Sequence, residues 1–254
     1  MKQHREIKST FKKNIHFFDH IILNYDVEGE NYGNQDRNSL KLFSLDEMTI
    51  NIKSFKIPNV INQIAYRFFR KSKAQRSFEY ANKLTSLGIG TPQPIAYYES
   101  TSPFLFKKSY YVSEHLNVDY TYRDLTNDFT IPDYEIILRA FTRFTFKLHE
   151  NGVLFLDHSP GNTLIKKNGT DYDFYLVDLN RMNFGKLDFK TRIKNFSRLT
   201  IHKSMVEIMS DEYAKCSSYN FDEIFNLMWQ ETQAFQERFY RKKRLKKRLK
   251  FWKA

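Results

Sequence analysis

Along residues 40–55 apolar and polar side chains alternate on either side of the polar pair Asp46 and Glu47, the period-2 pattern of a β-hairpin. In the second arm Met48, Ile50 and Ile52 share one face, which leaves Thr49, Asn51 and Lys53 on the other. That pattern alone makes Lys53 an exposed strand residue. The period then changes. Ser72 followed by Gln75 forms a capping-box start, Ala74, Phe78 and Ala81 fall on one stripe, and Gly88 supplies a stop, so a helix is expected there. The prolines of TPQP punctuate a loop leading into a strand, and KKSYYVSEHL reads as another strand. From Asp133 to His149 the residues Ile137, Phe141, Phe144 and Leu148 recur at helical spacing, which predicts a long buried helix. Beyond it the segments shorten: VLFLDHSPGNTLI and DFYLVDLNRM, joined by the turn-like KKNGTDY, read as a hairpin. The remainder is predominantly helical.

At 254 residues with 41% hydrophobic content, the chain supplies one large domain or two modest lobes with a core. There are 24 Phe and 16 Tyr but only 8 Gly, so the turns rest on Asn, Asp, Ser and Pro rather than on glycine-rich loops. Cys216 is the single cysteine, which excludes an intramolecular disulfide and a cysteine-based zinc site and fits a reducing compartment. His149, His158 and the other histidines lie in different elements and suggest no metal site. The N-terminus lacks the apolar stretch of a signal peptide and no window reaches the length of a membrane span, so a cytoplasmic protein is expected.

Charge changes the picture at one place. From Arg238 to Ala254 stand ten Lys or Arg and no Asp or Glu, so of the net charge of +12 only +2 belongs to everything before. A localised basic end suggests docking to an anionic surface rather than a body that grips nucleic acid, and no nucleic acid partner is expected.

Candidate chemistry concentrates in LDHSPGNTLI and YLVDLN. Asp157 and Asn162 sit five residues apart across a Pro-Gly turn, and Asp178 follows in the next strand-like segment. Phosphoryl transfer requires a carboxylate to orient and deprotonate a hydroxyl, and oxygen ligands to hold magnesium against a triphosphate. These three residues are of the right types in the right order.

At this point the sequence resembles the protein-kinase-like superfamily, whose catalytic loop carries Asp and Asn at this spacing and whose metal-binding Asp follows on the next hairpin. LHENGVLFLDHSPGNTLI resembles the helix end, Gly turn and catalytic loop of such enzymes, with His149 and Gly152 in their usual places. The resemblance implies an α+β, two-lobed fold: an N-terminal antiparallel sheet with one helix in residues 1–115, and a mainly helical catalytic lobe in residues 116–254. It implies ATP and Mg2+ as cofactors, Asp157 as catalytic base, and Asn162 and Asp178 on the metal. Lys53 would contact the phosphates and pair with Glu79, the one acidic residue between Glu47 and Glu99. Glu114 and His115 match the hinge where adenine meets backbone. Phe155 stands where many kinases have His, DLN replaces DFG, and VEGENYGNQ around Gly29 and Gly33 is too weak a glycine-rich loop to assign phosphate contacts.

Within that superfamily, residues Leu40 to Met182 look like the lipopolysaccharide kinases, which phosphorylate Kdo or heptose in the inner core. The marks are Ser-Lys-Ala-x-Arg-Ser, Gly-Ile-x-Thr-Pro-x-Pro, LDHSPGN and DLNR. The acceptor implied is a glycolipid at the inner face of the inner membrane. The tail fits such a place: Phe239, Leu245, Leu249 and Trp252 share a broad arc while Arg241, Lys243, Arg244, Lys247 and Arg248 fall mostly elsewhere, a basic amphipathic helix suited to an anionic membrane surface. A small-molecule phosphotransferase of the aminoglycoside type and a non-catalytic pseudokinase or binding module stand as alternatives.

Overall fold

The computed structural model describes residues 2–33 and 38–251, the side chains of the last three excepted. The elements run β1 (Lys2–Ile7), a 3-10 turn, α1 (Ile15–Leu23), β2 (Glu30–Asn31), β3 (Asn38–Leu45), β4 (Met48–Phe55), α2 (Val60–Phe68), α3 (Lys73–Ser86), β5 (Pro94–Thr101) and β6 (Phe106–Glu114). There follow β7 (Tyr120–Thr121), α4 (Tyr122–Asn127), α5 (Tyr134–Glu150), β8 (Val153–Phe155), a second 3-10 turn at Pro160–Asn162, β9 (Thr163–Asn168), β10 (Asp171–Leu176), β11 (Met182–Phe184), α6 (Phe189–Lys194), α7 (Lys203–Cys216) and α8 (Phe221–Phe251). They divide into two units: Met1–Asn117 with Leu176–Arg181, and Val118–Tyr175 with Met182–Ala254.

The first unit is built on a six-stranded sheet in the order β1-β5-β6-β4-β3-β2, its pairings antiparallel. The hairpin read from the alternation is β3–β4, turning at Asp46, whose φ of 52° supplies the left-handed residue such a tight turn needs. Ile50 and Ile52 are fully buried against Phe18, Ile95 and Val112, each contributing about 1.5–3 kcal/mol of burial. The opposite face of β4 carries Lys53 two strands in from the edge. Helix α3 starts where the capping pattern places it: the Ser72 hydroxyl accepts from the Gln75 amide at 3.1 Å, and Ala74, Phe78 and Ala81 are buried. Two helices, α1 and α2, stand in this unit beyond the one read from the sequence.

In the second unit α5 spans the expected segment and buries Ile137, Phe141 and Leu148. It packs on α7, with Arg139 and Arg143 both bonded to the Glu212 carboxylate. The hairpin of β9 and β10 turns at Gly169, φ 63°, and β8 pairs with β11. Between these two strands Gly152, at φ 66°, comes so close to the Gly185 backbone that a Cβ would lie 2.6 Å from its carbonyl oxygen. Only glycine fits that crossing.

Helix α8 continues into the basic tail as far as Phe251, and from Glu237 to Arg248 every side chain is exposed. Phe239 and Leu245 are therefore not packed on the body; Leu249 and Trp252 lie outside the described side chains. No described helix is long and apolar enough to cross a membrane.

Candidate active site

Five of the sequence-predicted residues, Lys53, Glu79, Glu114, His115 and Asp178, lie in the first unit. Lys53 Nζ donates to Asp178 Oδ1 at 2.8 Å, an ion pair with the two side chains 16% and 35% exposed. Asp178 holds φ at 59°, a left-handed conformation that costs a non-glycine residue on the order of 1 kcal/mol and persists only where neighbours over-determine it. Asn180 Nδ2 donates to the same Asp178 oxygen at 2.6 Å, Leu179 is buried, and the segment's entry is fastened to the loop before β5. There the Leu176 amide donates to the Gly90 carbonyl and the Thr91 hydroxyl donates to the Leu176 carbonyl, both at 2.9 Å.

Glu79 is placed differently from the expectation. Its carboxylate accepts from Lys71 Nζ at 2.8 Å on both oxygens and from Gln75 Nε2 at 3.1 Å, while Lys53 is taken by Asp178. The expected Lys53–Glu79 pair is therefore not formed. The physical reason is local: Gln75 lies one helical turn before Glu79, and Lys71 precedes the helix on the same side, so the carboxylate is satisfied beside its own helix. The favourable hydrogen bond raises the Lys71 ammonium above its ordinary range.

At the proposed hinge, the Glu114 amide donates to the Gln93 carbonyl and the His115 amide to the Thr49 carbonyl, at 2.9 and 2.8 Å. Both N–H groups are thus spent within the sheet. The His115 ring packs edge-on to Tyr32 at 4.9 Å, and burial lowers its basicity.

The second unit organises the other half of the motif. After β8 the chain turns through Asp157, His158 and the 3-10 turn that ends at Asn162, and Asn162 Nδ2 donates to the Asp157 carbonyl at 2.8 Å. That bond closes the loop and leaves the Asn162 amide oxygen outside it. Arg198 Nη1 donates to the Leu156 carbonyl at 2.9 Å and reaches Asp157 Oδ1 at 3.2 Å, with its guanidinium over the Phe235 ring of α8 at 5.7 Å. On the other side Gly161 admits Arg123, whose Nη2 would lie 2.7 Å from a Cβ there.

Beneath the loop the packing is aromatic. His158 is fully buried and contacts the rings of Phe141, Phe155 and Phe196. Neither of its nitrogens finds a hydrogen-bond partner among the described residues. Asn195, close by, spends Nδ2 on the Phe155 carbonyl at 2.8 Å and Oδ1 on His149 Nε2 at 3.2 Å. Tyr213 OH lies 3.0 Å from His149 Nδ1. With Nε2 donating and Nδ1 accepting, His149 is a neutral strut between α5, α7 and the loop after α6. Burial lowers its pKa to about 4 and that of His158 to about 3.

Phe155 is itself buried and offers a face to His158, so the contact at this position is apolar. Sequence reasoning missed Arg198, Asn195 and Thr91, because each acts on a backbone group or carboxylate distant in the chain and carries no spacing signal of its own; it also missed Asn180, whose partner Asp178 is only two residues away.

A family model described as the lipopolysaccharide kinase (Kdo/WaaP) family matches residues 57–219, well over half of the chain. Among solved structures, one described as "WaaP in complex with acyl carrier protein" has a TM-score of 0.64 at 16% identity, covering 94% of this chain and 98% of that chain. At that identity the likeness speaks for fold, and it agrees with the α+β, protein-kinase-like class expected from the motifs. No curated protein matches the chain in sequence. The chain belongs to the lipopolysaccharide kinase family.

Proposed function

We propose that the protein transfers the γ-phosphoryl group of ATP to a Kdo or heptose hydroxyl of the lipopolysaccharide inner core, with Asp157 as catalytic base. The observation that carries this reading is the closed loop from Asp157 to Asn162, held at 2.8 Å by the Asn162 amide. A base and a metal ligand fixed by one short loop are what positioning catalysis requires. Asp157 accepts the proton of the acceptor hydroxyl as the new oxygen–phosphorus bond forms, and the bond from the γ-phosphorus to the bridging oxygen breaks with its electron pair leaving on ADP.

Lys53 is the phosphate ligand in this reading. The Asp178 carboxylate and the Asn162 amide oxygen are hard oxygen donors, the type that suits Mg2+ bound mainly through phosphates and water. When bound, the metal neutralises phosphate charge. At residues 114 and 115 both amides are engaged, so adenine would be met there by groups other than these N–H donors. The first unit would then bind nucleotide and the second act on the acceptor. The exposed basic end of α8 supports a contact with an anionic membrane surface, where a glycolipid acceptor resides.

The test is transfer of labelled γ-phosphate from Mg-ATP to a Kdo-bearing lipid A precursor, with Asp157→Asn as control. Label in the glycolipid with wild type and not with the variant supports the reading. Label in an aminoglycoside or another small alcohol, with none in the glycolipid, contradicts it.

A further inference from the structure

Helix α2 is amphipathic the wrong way round for a helix on a folded body. Its inward face is polar: Gln63 is buried and donates from Nε2 to the Pro58 carbonyl at 2.9 Å, Tyr66 packs against Phe106 at 5.6 Å, and Arg67 Nε donates to the carbonyls of Ser102 and Pro103 at 3.2 and 3.3 Å. Its outward face carries Val60, Ile61, Ile64 and Phe68, which at 100° per residue span an arc of about 100°. Ile61 is 79% exposed, and Phe69, just past the helix, is 81% exposed. The Arg67 bonds hold the β5–β6 turn against α2, and that turn presents Phe104 at 74% exposure. Contiguous apolar surface of this kind marks an interaction site.

Charge identifies the partner. No acidic residue stands between Glu47 and Glu79, whereas Lys56, Arg67, Arg70, Lys71, Lys73 and Arg76 all do. At the root of α2 lies a cavity of about 310 Å³ lined in part by Lys56, Lys73, Asn59 and Asn62. Neither lysine has an ion-pair partner among the described residues. We propose that α2, with Phe69 and Phe104, is a bilayer-docking element: its aliphatic and aromatic face enters the interface of an anionic phospholipid membrane while the flanking cations and the lysine-lined cavity take phosphate headgroups. An interfacial helix has this combination of apolar face and basic flank. A purely electrostatic partner leaves the apolar stripe unexplained, and a second copy would set like charges against each other. The inference goes beyond the reading above, which placed the membrane contact in α8.

The test uses the full chain in co-sedimentation with vesicles of phosphatidylethanolamine and phosphatidylglycerol, and separately with vesicles of phosphatidylcholine. Wild type is expected to bind the anionic vesicles and to prefer them strongly. The variant Ile61→Ser/Ile64→Ser/Phe68→Ser, which changes exposed positions only, is expected to partition about tenfold more weakly with α8 intact. Phe69→Ser/Phe104→Ser provides a second variant with the helix untouched, and far-UV circular dichroism establishes that both are folded. Lys56→Gln/Lys73→Gln is expected to reduce the preference for anionic over neutral vesicles. Unchanged partition of the two apolar variants overturns the proposal. So does a wild type that ignores vesicles but forms a dimer, or binds an acidic protein, through this face. Transfer to a soluble, deacylated acceptor is expected to be unaltered in the apolar variants. Its absence in wild type, with vesicle binding as described, would count against the catalytic reading and leave this one standing.

Discussion

Lys53 Nζ and Asp178 Oδ1, separated by 125 residues of sequence, meet at 2.8 Å within the first unit. The lysine comes from β4, well inside the sheet, and the aspartate from a left-handed residue pinned by Asn180 and by the Gly90–Thr91 loop. The proposed phosphate ligand and the proposed metal ligand are thus brought together within one unit.

Replacing either member separates their roles. On the proposed reading Lys53→Met removes a phosphate ligand and Asp178→Asn a charged metal ligand; each is expected to lower kcat/KM by about 100-fold or more. Only Asp178→Asn is expected to abolish the Mg2+ dependence of nucleotide binding, read by calorimetry with and without the metal. Equal Mg2+ dependence in the two variants would contradict the assignment.

Glu79 makes the opposite case. Paired with Lys71, which is 57% exposed, it contributes little to stability, as partly exposed pairs do. Glu79→Gln is expected to leave the nucleotide dissociation constant within about twofold of wild type, whereas a kinase-type Lys53–Glu79 pair would make the same change severely damaging. Nucleotide titration of the variant distinguishes the two.

On the proposed reading Arg198 positions the base. It bonds both the Leu156 carbonyl and the Asp157 carboxylate, so Arg198→Ala is expected to lower kcat by roughly 10- to 100-fold through misplacement of Asp157. Nucleotide affinity is expected to stay unchanged, and Arg198→Lys to recover part of the loss. A parallel fall in nucleotide affinity would indicate a merely structural role.

The two buried histidines give the protein an acid-sensitive stability. Their pKa values, about 4 for His149 and about 3 for His158, lie below the ordinary 6.5 chiefly because burial disfavours the charged ring. Below pH 6.5 the unfolded chain binds protons that the folded one does not, so stability is full above that pH. It declines as pH falls through the window down to each folded value, by roughly 1 kcal/mol per pH unit for each histidine. Urea midpoints at pH 7 and pH 5 measure it. His149→Gln, which retains a partner for Tyr213, is expected to halve the slope between them.

The elements that reached the eye in the sequence were those whose burial follows a single period. Met48, Ile50 and Ile52 alternate because β4 has one buried face, and the α3 cap and the α5 stripe are equally local. β1 was not legible, because KQHREI lies at the sheet edge with five of its six side chains exposed and so carries no apolar alternation. α2 was missed although it carries local signals of its own, the Asn59 cap and the helical spacing of Val60, Ile61, Ile64 and Phe68. In LDHSPGNTLI and YLVDLN, spacing alone singled out Asp157, Asn162 and Asp178 as candidates. The partner of Glu79 and the role of Arg198 depend on helix rotation and on contacts across 41 residues, which no spacing encodes.

The central claim is that Asp157 is the catalytic base of a lipopolysaccharide core kinase. Single-turnover transfer of labelled phosphate to Kdo-bearing lipid A precursor, measured beside Mg-ATP binding for wild type and Asp157→Asn, tests it most directly. The account predicts unchanged nucleotide binding and a loss of transfer of about 1,000-fold or more in the variant. Transfer that survives the substitution, or nucleotide binding lost together with transfer, would contradict it.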